Sequence, residues 1–334
     1  MRGKLAAAAL ALALPMVTMG TAAASSPGEA SERPVWITLG TGGGPVVRMQ
    51  RSEPANVLIV NGTAYLFDAG EGVVHRLANA GIGLEQVRAT FISHHHVDHD
   101  AGLAPMLMHR WISGRGDRMD LIGPPGTSAM VASIASANRP AELSPVVQDG
   151  RRQPPLSTIV QATDLPLDTP QPVEVYRDAN LKVLAAVNCH YNFPAGSEAS
   201  LKSRSYAYRI ETAERSYAYT GDTGPCPAIE RLAMGVDVLI SEVMDPIAMR
   251  KIAARREGGK GLIADPDAFM RHMEEDHLTP DEVGQLAARA GAGSVVLTHL
   301  VPGFDGEPSN DAYEAGVRAH FSGSVTTARD LDRF

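Results

Sequence analysis

Six consecutive residues, His94-His95-His96-Val97-Asp98-His99, carry the densest chemistry in the chain. Imidazole and carboxylate are borderline-hard donors that suit zinc, with manganese or iron as alternatives. The six follow a β-rich run, Ala89–Ser93, so their first residues should continue in extended form. Alternate side chains then share a side: His94 and His96 can grip one ion while His95 points the other way. Asp98 and His99 fall at the turn into the next helix, where they can grip a second ion. The bland alternative is a solvated histidine-rich loop. Four donors within six residues, all at one strand end, argue against it.

Two ions need more donors than these four. His190 follows the β-rich run Leu181–Val187, Asp222 follows Arg215–Thr220, and His299 follows Ser294–Thr298. Any one of them alone would read as a structural polar residue. Together they predict that several strand ends converge on one point.

The elements that must position these donors follow from periodicity. Further strands are expected at Val35–Leu39, Asn56–Val60, Ala64–Phe67, Met119–Ile122, Ser205–Glu211 and Val236–Ser241. Asn61-Gly62-Thr63 and Thr212-Ala213-Glu214 read as hairpin connections. Helices are expected at Glu71–Ala80, Ala101–Trp111, Thr127–Ala137, Pro227–Met234, Pro246–Arg256, Pro280–Ala290 and Asn310–His320. Thr279-Pro280-Asp281-Glu282 is a capping box with proline at the first helical position. Leu143–Gln171, rich in Pro, Asp and Gln, reads as an irregular surface insertion. Hairpins mixed with βα units predict an α/β protein, two sheets flanked by helices, in one domain over residues 35–334.

The N-terminus carries a separate message. Arg2 and Lys4 precede the apolar stretch Leu5–Met19, and Ala22, Ala23 and Ala24 follow. That is the pattern of a cleavable signal peptide over residues 1–24. A retained anchor would need about 20 apolar residues, and no later segment is apolar enough to span a membrane. No cysteine follows the stretch to accept a lipid. Residues 25–34 are small and polar, a flexible lead-in to a periplasmic or secreted protein. The net charge of −8 argues against a nucleic-acid partner held by a broad basic face.

The donor set resembles the metallo-β-lactamase superfamily, whose motif is His-x-His-x-Asp-His followed by a His, an Asp and a His. The similarity runs from Val35 to the C-terminus and is with the ribonuclease Z and arylsulfatase-like branch. Leu39-Gly40-Thr41-Gly42-Gly43 resembles that branch's opening strand and glycine turn. Phe67-Asp68-Ala69-Gly70-Glu71-Gly72 resembles its second motif, and Tyr219-Thr220-Gly221-Asp222-Thr223-Gly224 the stretch around its bridging Asp. His277-Leu278-Thr279 is similar to its His-x-Thr element, and Leu297-Thr298-His299 to its last ligand.

The resemblance implies an αββα sandwich holding two zinc ions. His94, His96 and His190 would hold the first, and Asp98, His99 and His299 the second, with Asp222 bridging. Asp68 would orient a ligand imidazole. Asp98 would also orient the nucleophile and take its proton, and His277 would be the general acid for the leaving oxygen. The other histidines, His75, His109, His272 and His320, read as structural or surface. Cys189 and Cys226 flank residues that should meet at one ion. Export permits a disulfide between them, and two buried free thiols are the alternative.

True β-lactamases of this fold lack a bridging carboxylate at the position of Asp222, which points instead to phosphate, sulfate or carboxylic esters. The expected activity is hydrolysis of a phosphodiester, or of an aryl sulfate or phosphate ester, in a small molecule. Processing of tRNA 3′ ends is what the similarity alone favours. Export speaks against it, as does the lack in Leu143–Gln171 of a clamp rich in Gly and Lys. Lactone or β-lactam hydrolysis, and iron-dependent oxidoreductase chemistry, are further readings on so permissive a scaffold. A homodimer is compatible with the sequence.

Overall fold

The computed structural model describes residues 33–114, 117–144, 153–166, 168, 171–257, 260–261, 263–305 and 311–334. The expected signal peptide and all of the lead-in but Arg33 and Pro34 lie outside the described residues.

Six strands make the first sheet, side by side in chain order: β1 (Val35–Gly40), β2 (Ala55–Val60), β3 (Thr63–Ala69), β4 (Val87–Phe91), β5 (Met119–Gly123) and β6 (Val160–Asp164). The first three pair antiparallel and the last four parallel, so the sheet is mixed. The second sheet has β7 (Val173–Arg177), β8 (Leu181–Val187), β9 (Tyr206–Thr212), β10 (Ser216–Tyr219) and β11 (Val238–Met244). A separate hairpin of β12 (Arg256–Glu257) and β13 (Lys260–Gly261) comes next, and then β14 (Ser294–Val301) and β15 (Ser324–Thr327) complete the second sheet. Its spatial order is 15-14-11-10-9-8-7, antiparallel from β7 to β10 and parallel beyond.

Helices cover the outer faces. The chain supplies α1 (Val73–Asn79), α2 (Val97–Asp100), α3 (Leu103–Ser113), α4 (Thr127–Ala137) and α5 (Arg139–Leu143), then α6 (Glu198–Lys202) and α7 (Pro227–Leu232). It ends with α8 (Pro246–Ala253), α9 (Pro266–Asp276), α10 (Pro280–Ala290) and α11 (Asp311–Arg318). Strand alternation sorts the core into layers. Along β3, Tyr65 and Phe67 turn inward to meet Tyr206, Tyr208 and Tyr219 of the facing sheet. Their neighbours Ala64 and Leu66 turn outward against Val73, Leu103 and Trp111 of α1 and α3. On the second sheet Leu239 and Val243 pack outward against Leu286 and Val317 of α10 and α11. Trp36, Phe67 and Phe91 stack through the middle, with ring centroids 5.1 and 5.0 Å apart. The expected two-sheet architecture flanked by helices is therefore the one the chain adopts.

Both expected hairpins form. Asn61 and Gly62 have φ of 50° and 73°, the left-handed pair that matches the twist of β2 and β3. The insertion Leu143–Gln171 departs from expectation. It contains β6, the edge strand of the first sheet, where only Val160 is buried and the small Ala162 half-buried among polar residues, an alternation too weak to read. Asp164 at its end accepts from the backbone N–H of Ser128 at 2.7 Å, and so holds the start of α4. Strands β7 and β15 and helix α9 were also not expected. Helix α9 opens at Asp265, whose carboxylate accepts from Ala268 N–H at 2.9 Å, with Pro266 at the first helical position.

Candidate metal centre

The donors come from four strands of the two sheets, three of them from beyond the strand end. After β4, Ser93–His96 run extended, with His96 at φ −85°, ψ 148°, and the chain then turns into α2. His94 and His96 therefore share a side, and Asp98 and His99 follow within the short helix. His190 lies beyond β8 and Asp222 beyond β10. His299 was expected after its strand and instead sits inside β14, with φ of 42°. The pairing of β14 with β11 slips by one residue at that point, between Ser241 and Val243. Such an irregularity re-aims a side chain that regular alternation would send elsewhere. Space for it comes from the glycine turn: a Cβ on Gly43 would lie 2.7 Å from His299 Nδ1.

The seven side chains meet in two groups. His96 Nδ1 is 3.0 Å from His94 Nε2 and 3.1 Å from His190 Nε2. Asp98 Oδ2 is 3.5 Å from both His99 Nε2 and His299 Nε2. Asp222 lies between the groups. Its Oδ1 is 3.3 Å from His99 Nε2, and its Oδ2 is 3.1 Å from His299 Nε2 and 3.8 Å from His94 Nε2. Donors bound at 2.0–2.1 Å around a tetrahedral ion stand about 3.4 Å apart, so these spacings suit zinc. The polar atoms left over agree. His99 Nε2, Asp222 Oδ1 and both ring nitrogens of His299 are buried without a hydrogen-bond partner. Orphaned buried atoms are costly unless a ligand satisfies them.

Partners behind the donors fix which nitrogen faces inward. His190 Nδ1–H donates to the carbonyl of Asp276 at 2.9 Å, and His99 Nδ1–H to Asp68 at 2.8 Å. Each leaves Nε2 with its lone pair towards the centre. Asp68, fully buried at φ 59°, also accepts from Ser93 N–H (2.6 Å), Ser93 Oγ (2.7 Å) and Tyr219 OH (2.7 Å). It thus locks the start of the donor loop and the end of β10 to one imidazole, the supporting place expected of it. His95 turns away to Asp100 (2.9 Å) and Thr127 (3.2 Å).

Electrostatics divides the two groups. Burial pushes the pKa of His94, His96 and His190 down, His190 to about 3, so all three imidazoles are neutral electron-pair donors. At the second group burial opposes charge, but attraction overrides it. His99 and His299 hold Asp98 down to about 2 and Asp222 well below the carboxylate range. In return Asp222 raises His99 strongly and His299 to about 10, again against burial. Protons on these two imidazoles stand in for the positive charge that a cation would bring.

His277 ends α9 beside this centre, its ring 5.1 Å from that of His190. Its Nδ1 is 2.7 Å from Glu242 Oε2. Burial disfavours charge on His277, yet the Glu242 carboxylate prevails and raises its pKa. Burial likewise raises Glu242 itself, against the pull of His277. Sequence reasoning missed Glu242, although a single acid inside the otherwise uncharged, fully buried run Val238–Met244 was a usable signal. His272, read as structural or surface, is exposed; it also lines the cavity in front of the site and pairs with Asp276 at 2.6 Å. His75, His109 and His320 are exposed, as expected. Cys189 and Cys226 form a disulfide, with Cα atoms 5.7 Å apart, which ties the His190 loop to the segment after Asp222.

Residues 63–300 match the β-lactamase superfamily domain. The chain belongs to the metallo-β-lactamase superfamily. It is 31% identical over 305 residues to a ribonuclease Z of Mycobacterium sp. (strain KMS), across 89% of this chain and 94% of that protein. In fold it is similar to human tRNase Z, short form, with a TM-score of 0.62 and 19% identity over 90% of this chain and 98% of the other. A diphosphatase of the PhnP family gives a TM-score of 0.58 and 16% identity over 91% and 98%. As a member of this superfamily the protein is a metal-dependent hydrolase of ester bonds.

Proposed function

We propose that this superfamily member is an exported hydrolase that holds two zinc ions and cleaves a phosphodiester, or an aryl phosphate or sulfate ester, in a small molecule. One observation carries the reading. Seven donors cluster with buried atoms left unpartnered, and five of them, His96, Asp98, His190, Asp222 and His299, line a cavity of about 540 Å³, a volume suited to a small ligand. His94, His96 and His190 would hold one ion and Asp98, His99 and His299 the other, with Asp222 between them. Bound there, two such ions would supply a nucleophile from water near neutral pH and would stabilise charge developing on the ester oxygens.

The chain's own residues supply proton transfer. Asp98, anionic and lining the cavity, takes the proton of the attacking water. Glu242 holds His277 by Nδ1, which leaves Nε2 to deliver a proton to the departing oxygen. The disulfide supports export, because such bonds persist in oxidising compartments. Mass spectrometry of the exported protein should find an N-terminus at Ser25, within a residue or two; an intact Met1 in the cytoplasmic fraction would contradict it.

Identity with ribonuclease Z favours a second reading, cleavage at the 3′ end of tRNA precursors. Metal analysis, followed by parallel assays on bis-p-nitrophenyl phosphate, an aryl sulfate, a lactone, a β-lactam and a tRNA precursor, separates the two. Two zinc ions and preferential turnover of a small ester support the first reading. Preferential cleavage of the precursor would establish the second, and iron in place of zinc would point to oxidoreductase chemistry.

A further inference from the structure

We propose that the leaving group of the substrate is an uncharged apolar group, seated on a wall built by α8 and α9. The proposal rests on the ester-hydrolase reading and names the kind of ester. Met249 and Ile252 of α8, Phe269 and Met273 of α9, Val301 at the end of β14 and Phe304 beyond it line the same cavity as the donors. Three or four residues apart, each helical pair presents one face. The two helices pack on each other around Met244, Met270 and Met273, which are unbranched side chains that adapt to irregular shapes.

The wall's position decides what it holds. Helix α9 carries Phe269 and Met273 and ends at His277, so wall and proton donor stand on one element. The oxygen that takes His277's proton belongs to the leaving group, which must therefore lie over α9. Beyond the wall the rim stays apolar, with Val46 64%, Val97 59% and Phe304 45% exposed. Among the lining residues the arginines are Arg48, whose guanidinium is bonded to the carbonyls of Val46 and Pro302, and Arg255. A polyanion such as RNA would call for a longer cationic track.

Titration calorimetry of the metal-loaded protein with methyl-, butyl- and hexylphosphonate tests the wall without any turnover. Affinity should rise about fourfold per methylene, the effect of burying one such group. Phe269→Ser and Ile252→Ser alter half-buried positions, and a thermal melt of each variant checks that it stays folded. Each should leave methylphosphonate binding and metal content unchanged and at least halve the slope with chain length. In parallel, kcat/KM on methyl, butyl and hexyl phosphate should climb with the length of the departing alcohol. Affinity and kcat/KM independent of chain length would overturn the proposal while leaving ester hydrolysis intact. Chain-dependent phosphonate binding with no ester turned over would overturn the hydrolase reading and leave the apolar wall standing. Displacement of hexylphosphonate by a tRNA precursor at lower concentration than by hexyl phosphate would assign the wall to RNA.

Discussion

Asp68→Asn keeps the size of a buried side chain and removes one acceptor, which makes it a clean test of how the second ion is held. The carboxylate takes four hydrogen bonds. Oδ1 accepts from Ser93 N–H, and Oδ2 accepts from Ser93 Oγ, His99 Nδ1 and Tyr219 OH. An amide has one oxygen. If it keeps Ser93 N–H, its NH₂ faces His99 Nδ1, and the imidazole must move its proton to Nε2, the nitrogen turned to the metal site. If the amide flips, NH₂ meets the Ser93 N–H, a donor against a donor. The first outcome removes a ligand lone pair, and the second leaves a buried group unpaired at about 1–3 kcal/mol. Loss of such supporting contacts typically weakens metal affinity about 10–100-fold. His94, His96 and His190 do not touch Asp68, so one ion should stay. Competition against a graded series of chelators should therefore show two tight ions in the wild type, and one tight and one weakened ion in the variant. Two ions held as in the wild type would refute the argument. Equal weakening of both would mean that Asp68 acts through the whole donor loop and not through His99.

Asp222→Ala should lower occupancy of both sites, since Asp222 stands within 4 Å of donors from each group; full metal content would sink its bridging role. His277→Ala should keep its metals and hydrolyse nitrophenyl esters almost normally, yet lose about two orders of magnitude on alkyl esters, whose alkoxide needs a proton. Glu242→Gln should move the alkaline limb of alkyl-ester hydrolysis to lower pH, because the carboxylate raises the pKa of His277 and the protonated form is the active one. An unmoved limb would separate His277 from that limb. Replacing both Cys189 and Cys226 by serine frees a 37-residue separation and should cost about 2–4 kcal/mol in urea unfolding, with metal content retained.

The donors were legible because each chemical requirement has a short-range signature. The sequence His94–His99 compresses four donors into a strand-to-helix turn, His190 and Asp222 follow strand-like runs, and His299 lies near the end of another. What escaped notice depends on neighbours distant in sequence. Glu242 gains its role only when β11 is placed beside the end of α9, 35 residues on. Strand β6 sits at a sheet edge and packs only Val160 and the small Ala162 on one face, too little for periodicity to register. Helix α9 is charged at five of its eleven positions and buries only Met270, Met273 and Asp276, so its stripe is thin and its apolar face belongs to the cavity.

The same contrast explains how the molecule separates chemistry from selectivity. Donors ride on strands locked between two buried faces, where Asp68, Tyr219 and the interior aromatic stack leave little freedom. Metal geometry tolerates errors of a few tenths of an ångström, and strand ends fixed on both sides can meet that demand. The wall that meets the substrate comes instead from α8 and α9, packed on each other and on Met244 and Val301 of the second sheet through methionines. Ile252 and Phe269 are half-buried on the cavity side of the helices, so a change of volume there reshapes the cavity and lets the helices take a new leaving group. The proton donor belongs to both halves. His277 is carried by α9 but aimed by Glu242 from the sheet, so a leaving group that settles on the wall comes to rest beside a proton held in place by the core.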